Sequence, residues 1–216
     1  MTKKLPTIAV IGGTGAEGSG LATRWAAAGY RVLVGSRSAE QASIFAAAIG
    51  ADAMDYVSAA AKCDIAVLTV PYEVQRAVLT NLKDSLQGKI LVDVTVPLAA
   101  PKVTRVQLPA EGSAALIAQS ALGEGVRVVS AFQNVSAAHL KNMDELIDCD
   151  VLVTGDDPAA RSEVVTLAEA LGLSAIEAGP LDNAVAAEAL TSLLIWINRR
   201  YKSSGAGVRI TRVPGR

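Results

Sequence analysis

The feature that most constrains this chain is the run Ile8-Ala9-Val10-Ile11-Gly12-Gly13-Thr14-Gly15-Ala16-Glu17-Gly18. Apolar residues run without interruption into glycines, the pattern of a parallel strand buried on both faces. Gly13, Gly15 and Gly18 fit G-x-G-x-x-G, and Leu21, Ala22, Trp25 and Ala26 then follow a helical spacing that ends at Gly29. A strand, a glycine turn and a helix are the context in which that pattern has physical content. Gly13 is expected to permit the tight turn, and Gly15 to let the backbone approach a pyrophosphate with no Cβ in the way. Gly18 is expected to let the helix lie close on the strand. The helix start offers unpaired N–H groups and a positive dipole to phosphate.

The same alternation continues along the chain. Residues 31–34, 65–70, 90–93, 126–131, 151–154 and 174–178 read as strands. Helical patterns lie between them. Ser38 with Gln41 forms a capping box for a helix reaching Gly50, and Asp157 N-caps a helix with Pro158 in its first position. A last helix spans residues 183–201. This order predicts an α/β fold: a Rossmann-type doubly wound, mostly parallel sheet with a small C-terminal helical elaboration. The expected organisation is one compact domain over residues 1–216. Residues 1–155 form the dinucleotide-binding core, and residues 156–216 complete the cleft and supply contacts to a second copy. Residues 94–112 carry Pro97, Pro101, Pro109 and Gly112 and read as a long loop of the functional kind.

Several chemistries are poorly supported. His139 is the one histidine, so a multi-histidine metal site is excluded and no metal is expected. Cys63 and Cys149 form no Cys-x-x-Cys and read as small core residues. The net charge of -1 and the scarcity of Phe, Trp and Tyr (4% together) argue against nucleic acid. The longest apolar run, residues 189–197, is far short of the roughly 20 residues of a membrane span. The N-terminus shows no leader-like apolar stretch, so a cytoplasmic protein is expected. The charge is unevenly placed. Residues 1–188 sum to −7, and residues 189–216 carry Arg199, Arg200, Lys202, Arg209, Arg212 and Arg216 with no acid. That segment reads either as a solubilising tail or as a docking surface for an anionic ligand.

The second strand discriminates between cofactors. It ends Gly35-Ser36-Arg37 with no Asp or Glu. A carboxylate there would accept from the ribose 2′-OH of NAD; a hydroxyl and a guanidinium would instead bind a 2′-phosphate. NADP is therefore expected over NAD. Ligands of such sheets sit outside the C-terminal strand ends. That gathers residues 70–72, 94–97 and 131–135 around one crevice whose apolar, hydroxyl and amide groups suit a planar ring system.

These residues resemble a family, the NADPH-dependent F420 reductases or F420:NADP oxidoreductases. Gly12-Gly13-Thr14-Gly15, Gly35-Ser36-Arg37 and Ala66-Val67-Leu68-Thr69-Val70-Pro71 carry the resemblance. So do Val129-Ser130-Ala131-Phe132, Gly155-Asp156-Asp157, Ala178-Gly179-Pro180-Leu181, Glu188-Ala189-Leu190-Thr191 and Ile197-Asn198-Arg199-Arg200-Tyr201-Lys202. The resemblance implies reversible hydride transfer between NADP(H) and the deazaflavin coenzyme F420, with both rings stacked in one cleft of a dimeric enzyme. It implies NADP contacts at Thr14, Gly15, Ala16 and Glu17, 2′-phosphate contacts at Ser36 and Arg37, and further contacts at Tyr72, Arg76 and Ala137. Gln133, Asn134 and Val135 would flank F420, with Thr191 approaching from the last helix. The chain departs from the family at Gln41, where some members carry a phosphate-binding lysine, and at Gln133 and Asn134, where histidine is frequent. No catalytic side chain is expected, because hydride passes directly between carbons and orientation supplies the catalysis. Two other readings fit the same residues. One is an NADP-dependent reductase of a flavin, small carbonyl or imine; the other is an NADP-sensing module. The 183–201 helix is apolar on more than one face, which predicts a homodimer.

Overall fold

A computed structural model describes residues 4–213. Residues 1–3 at the expected leaderless start, and Arg216 of the basic segment, lie outside the described residues. The strands are β1 (Ile8–Ile11), β2 (Val32–Gly35), β3 (Asp52–Met54), β4 (Ile65–Leu68), β5 (Ile90–Asp93), β6 (Arg127–Ser130), β7 (Asp150–Gly155) and β8 (Ser174–Glu177). The helices are α1 (Ala16–Ala27), α2 (Ala39–Ile49), α3 (Tyr56–Lys62), α4 (Tyr72–Leu86), α5 (Ala114–Leu122), α6 (Ala137–Lys141), α7 (Pro158–Glu169) and α8 (Ala184–Tyr201).

One eight-stranded sheet runs in the order β3-β2-β1-β4-β5-β6-β7-β8. All pairings are parallel except β6 with β7, where Ser130 faces Thr154 in antiparallel register. From β1 the chain first builds outward to β2 and β3, then returns to lay β4 on the other side of β1. The crevice at that reversal is where an open α/β sheet binds ligands. Register sets its rim, since Ile11 pairs with both Gly35 and Leu68. The residues just beyond, Gly12, Ser36 and Thr69, therefore leave the sheet at one level.

The unbroken apolar strands have a plain cause. Val10, Val34, Val67 and Val92 face a core layer with Leu21 and Trp25 of α1 and Val164 and Leu167 of α7. Their neighbours Ala9, Leu33, Leu68 and Leu91 face a second layer with Leu79, Leu82 and Leu86 of α4 and Ala118 and Leu122 of α5. Both sheet faces are buried, so no polar alternation survives. Trp25 also donates to Leu167 O at 3.0 Å and meets Phe132 edge-on at 5.9 Å between centroids, tying α1 to α7 and to the loop after β6.

The end signals act as expected. Gly29 follows α1 with φ +86, and Ser38 and Asp157 accept from Gln41 N and Ala160 N. The capping box at Ser38 is only half made, because Ser38 N donates to Ser36 Oγ. Three elements had no expectation behind them: β3, α3 and α6. β3 is an exposed edge of three residues, paired only to β2, so it carries no burial pattern to read. α3 and α6 are short, seven and five residues, with two and one buried side chains. The sheet continues past residue 155, since β8 pairs with β7, so residues 156–216 add a strand as well as helices. Residues 208 and 210 lie along the start of β7, where Asp150 N donates to Val208 O and Ile210 N to Asp150 Oδ2.

Candidate active site

The crevice starts at the glycine turn. The residue with positive φ is Gly12, at +90, and not Gly13. Gly13 is required for space instead: a Cβ there would sit 2.9 Å from Val10 O. A Cβ on Gly18 would lie 2.5 Å from Thr69 Oγ1 and 2.7 Å from Gly12 O, which is the close helix approach expected of it. Gly15 is exposed, with only Gly12 O nearby, so its open side faces the ligand space. It is the N-cap of α1 and makes no side-chain cap. The first-turn N–H groups are left to receive an anion.

Two lobes meet at this turn. The shallower, of about 260 Å³, is lined by Gly12, Thr14, Gly15, Ser36, Arg37, Ser38, Gln41 and Tyr56. Thr14 Oγ1 and Ser36 Oγ share a hydrogen bond at 3.2 Å, which holds the Ser36 hydroxyl at the lobe's edge. Arg37 is exposed beside it and is in no ion pair among the described residues. The deeper lobe, of about 470 Å³, is lined by Gly15, Ala16 and Glu17, then Val70, Pro71, Tyr72, Glu73, Val94, Thr95, Val96, Leu98, Phe132, Gln133, Val135 and Thr191. Both lobes include Gly15, Thr69, Val70 and Pro71, so they form one continuous crevice.

The deep lobe's back wall is built on buried polar groups. Phe132 is buried with φ 74, a backbone region that large residues rarely occupy, and it turns the chain so that Gln133 and Val135 reach the cleft. Gln133 Nε2 donates to Asp93 O at 2.8 Å and to Ser130 Oγ at 2.7 Å, while its Oε1 is buried with no partner among the described residues. Thr191 donates from α8 to Gln133 O at 2.8 Å. One turn earlier Glu188 accepts from Ala114 N and Ala115 N at the start of α5, at 2.7 and 3.0 Å. Burial pushes Glu188 up to about 8 and Asp93 up to about 6, against hydrogen bonds that favour their ionised forms.

Not every expected residue reaches the cleft. Thr14, Gly15, Ala16, Glu17, Ser36, Arg37, Tyr72, Gln133, Val135 and Thr191 line it. Gly18 supports the turn from behind. Arg76 lines neither lobe; it is exposed and pairs with Glu111 of the 94–112 loop at 2.6 Å. Ala137 opens α6, which lies so close on α1 that a Cβ on Gly20 would be 2.6 Å from Leu140 Cβ, and it does not line the cleft either. Asn134 turns away, donating to Asp150 O at 2.8 Å. It borders a side pocket that shares Gln133, Val135 and Thr191 with the deep lobe and runs on to Asn198 and Ala206.

The sequence model of the family described as NADP oxidoreductase, coenzyme F420-dependent, matches residues 7–97. The F420-dependent NADP reductase of Methanocaldococcus jannaschii is 41% identical, over 95% of this chain and 98% of that protein. The protein of the same name from Methanothermobacter thermautotrophicus is 43% identical, over 96% of this chain and 95% of its own. The chain belongs to the F420-dependent NADP reductase family. A solved structure from Arthrobacter sp. FB24, described as a candidate F420-dependent NADP-reductase, superposes with a TM-score of 0.84 at 25% identity, over 96% of this chain and all of the other. An imine reductase from Myxococcus stipitatus superposes with a TM-score of 0.65 at 20% identity, over 92% of this chain and 64% of its own, which shows a shared fold.

For a reductase of this family the lining is chemically apt. Val, Pro, Leu and Phe side chains supply apolar wall, beside polar Thr95, Gln133 and Thr191, and among the described residues no cluster could hold a metal ion. Tyr56, Glu73 and Leu98 are lining residues that sequence reasoning missed. Tyr56 lies on α3, which had no expectation. Leu98 lies one residue past the expected 94–97 segment, in the 94–112 loop, and Glu73 in a stretch read as helical; nothing in a linear pattern says which of their side chains turn inward.

Proposed function

We propose that the protein moves hydride reversibly between NADP(H) and the deazaflavin coenzyme F420, binding both along the crevice between β1 and β4. The observation that carries this is the two-lobed shape, with a hydroxyl and a guanidinium in no ion pair among the described residues in one lobe and an apolar slot in the other, joined at an uncapped helix start. Ser36 and Arg37 would hold the 2′-phosphate, and Thr14 would position Ser36. The N–H groups of the first turn of α1 would receive the pyrophosphate. Both coenzymes exchange hydride carbon to carbon, so the protein has to bind, align and keep out water.

Val70, Pro71, Val94, Val96, Leu98 and Phe132 supply the dry walls. The orphaned Gln133 Oε1 gives the deep lobe an acceptor for a ring N–H, and Thr191 fixes the loop that presents it. Tyr72 lines the same lobe. Of the other expected contacts, Arg76 would have to leave Glu111 to serve NADP, and Asn134 would serve F420 through the side pocket. That pocket is lined by Asn198, next in the chain to Arg199 and Arg200, which with Lys202 would attract an anionic F420 tail. Two copies would join through the exposed apolar side of α8, in a cytoplasmic enzyme.

The test is to mix the protein with NADPH and oxidised F420 and follow the deazaflavin absorbance. Loss of the absorbance is expected, and its persistence would reject the reading. Turnover of a free flavin at a comparable rate would widen the acceptor class.

A further inference from the structure

The resemblance implies an NADP contact at Glu17 but gives its side-chain carboxyl no role. Glu17 is the second residue of α1 and lines the deep lobe beside Gly15 and Ala16, and its Oε1 is buried with no hydrogen-bond partner among the described residues. An orphaned acceptor of this kind is costly to keep unless a ligand satisfies it. The charged groups around it are few. Lys141 of α6 acts on it from the neighbouring helix. Glu73 of α4 lines the same lobe. Arg24, farther along α1, is committed to the carbonyl oxygens of Leu140, His139 and Asn142. Burial outweighs Lys141 and pushes Glu17 up to about 8, so near neutral pH the group is uncharged and does not repel a pyrophosphate at the helix start.

A neutral carboxyl carries one O–H donor and one C=O acceptor side by side. A primary carboxamide presents the reciprocal pair. With the 2′-phosphate end of NADP in the shallow lobe, the nicotinamide end falls in the deep lobe, and its carboxamide is the primary amide of that half. We propose that Glu17 recognises the nicotinamide: its carboxyl donates to the carboxamide carbonyl, accepts from the amide N–H at Oε1, and so sets which way the ring lies in the cleft. The inference rests on the NADP reading above.

The experiment compares dissociation constants for NADPH and for 2′-phospho-ADP-ribose, the same nucleotide without nicotinamide. It uses the wild-type protein, E17L and E17Q, between about pH 7 and 9. E17L should weaken NADPH about tenfold at neutral pH and change 2′-phospho-ADP-ribose less than about twofold. E17Q offers a donor and an acceptor in the same places and should recover most of that loss. Wild-type affinity for NADPH should fall above about pH 8 as the O–H is lost, while E17Q stays level. Equal weakening of both ligands by E17L would overturn the proposal, because Glu17 would then act on the pyrophosphate or the helix start. So would no change in either, or E17Q behaving like E17L. A wild-type protein that binds neither ligand would reject the NADP reading itself.

Discussion

In the proposed reading, Ser36 and Arg37 would carry the cofactor preference by themselves. The Ser36 hydroxyl is held by Thr14 at 3.2 Å, and Arg37 has no competing carboxylate among the described residues. Replacing Ser36 with Ala and Arg37 with Asp removes a charge-assisted contact and adds a repelling charge. NADPH should weaken roughly ten- to a hundredfold and NADH should tighten, as read by the two dissociation constants. Unchanged NADPH affinity would rule out this phosphate site. Gly18 is a second decisive residue. Its φ is ordinary, so Gly18→Ala acts by collision alone, 2.5 Å from Thr69 Oγ1 and 2.7 Å from Gly12 O. Because Gly12 O is backbone, the helix start has to shift. A loss of about 1–3 kcal/mol in urea unfolding and a marked loss of NADPH binding are expected. Full binding with full stability would mean that the turn is looser than its contacts imply.

Among the elements, α8 braces the deep lobe through Thr191. Three successive polar residues pin it: Glu188 to the start of α5, Thr191 to Gln133 O and Ser192 to Arg105 O. Glu188 is raised from 4.5 to about 8, mainly by burial. The folded state therefore holds this proton more tightly than the unfolded chain does. Its contribution to stability is fully present below about pH 4.5 and is lost as pH rises through about 8. Asp93, raised from 3.8 to about 6, acts with the same sign at lower pH. Melting temperature should fall from weakly acidic to weakly alkaline pH. Glu188→Gln should flatten that fall while lowering the acid-side melting temperature, since an amide offers one acceptor where two N–H groups converge. Parallel melting curves for the two proteins would show that Glu188 does not set the slope.

At the scale of the whole molecule, α8 also leaves apolar surface uncovered. Leu193 is 48% and Trp196 51% exposed, with Val106 and Leu108 of the long loop exposed as well. Light scattering at micromolar concentration should give the mass of a dimer for the wild type and of a monomer for Leu193→Glu combined with Trp196→Glu. A monomeric wild type would end the homodimer reading. The charge division is likewise a property of the whole chain. Arg209 is paired with Asp148, but Arg199, Arg200 and Lys202 lie exposed at the end of α8. The apparent KM for a long-tailed F420 should rise more steeply with salt than that for a short-tailed form, because screening acts on exposed charges. Equal salt dependence would leave the basic segment a solubilising surface.

What the sequence determined by itself was local. An apolar run into glycines implies a buried strand and a phosphate-ready turn, because sterics and burial act within a few residues. The missing acid after β2 is likewise read from one position. These gave the α/β sheet, the crevice and most of the residues that line it around the glycine turn. Tertiary structure decided which side chains turn into that crevice. Arg76 is drawn off by a partner 35 residues away, and Gln133 is held against Asp93, 40 residues back, while its neighbour Asn134 is pulled out toward Asp150. The antiparallel β7 and the positive φ of Phe132 also depend on contacts across the fold. Such choices are settled by hydrogen bonds and packing between distant segments, and adjacent residues in a linear pattern carry no record of them.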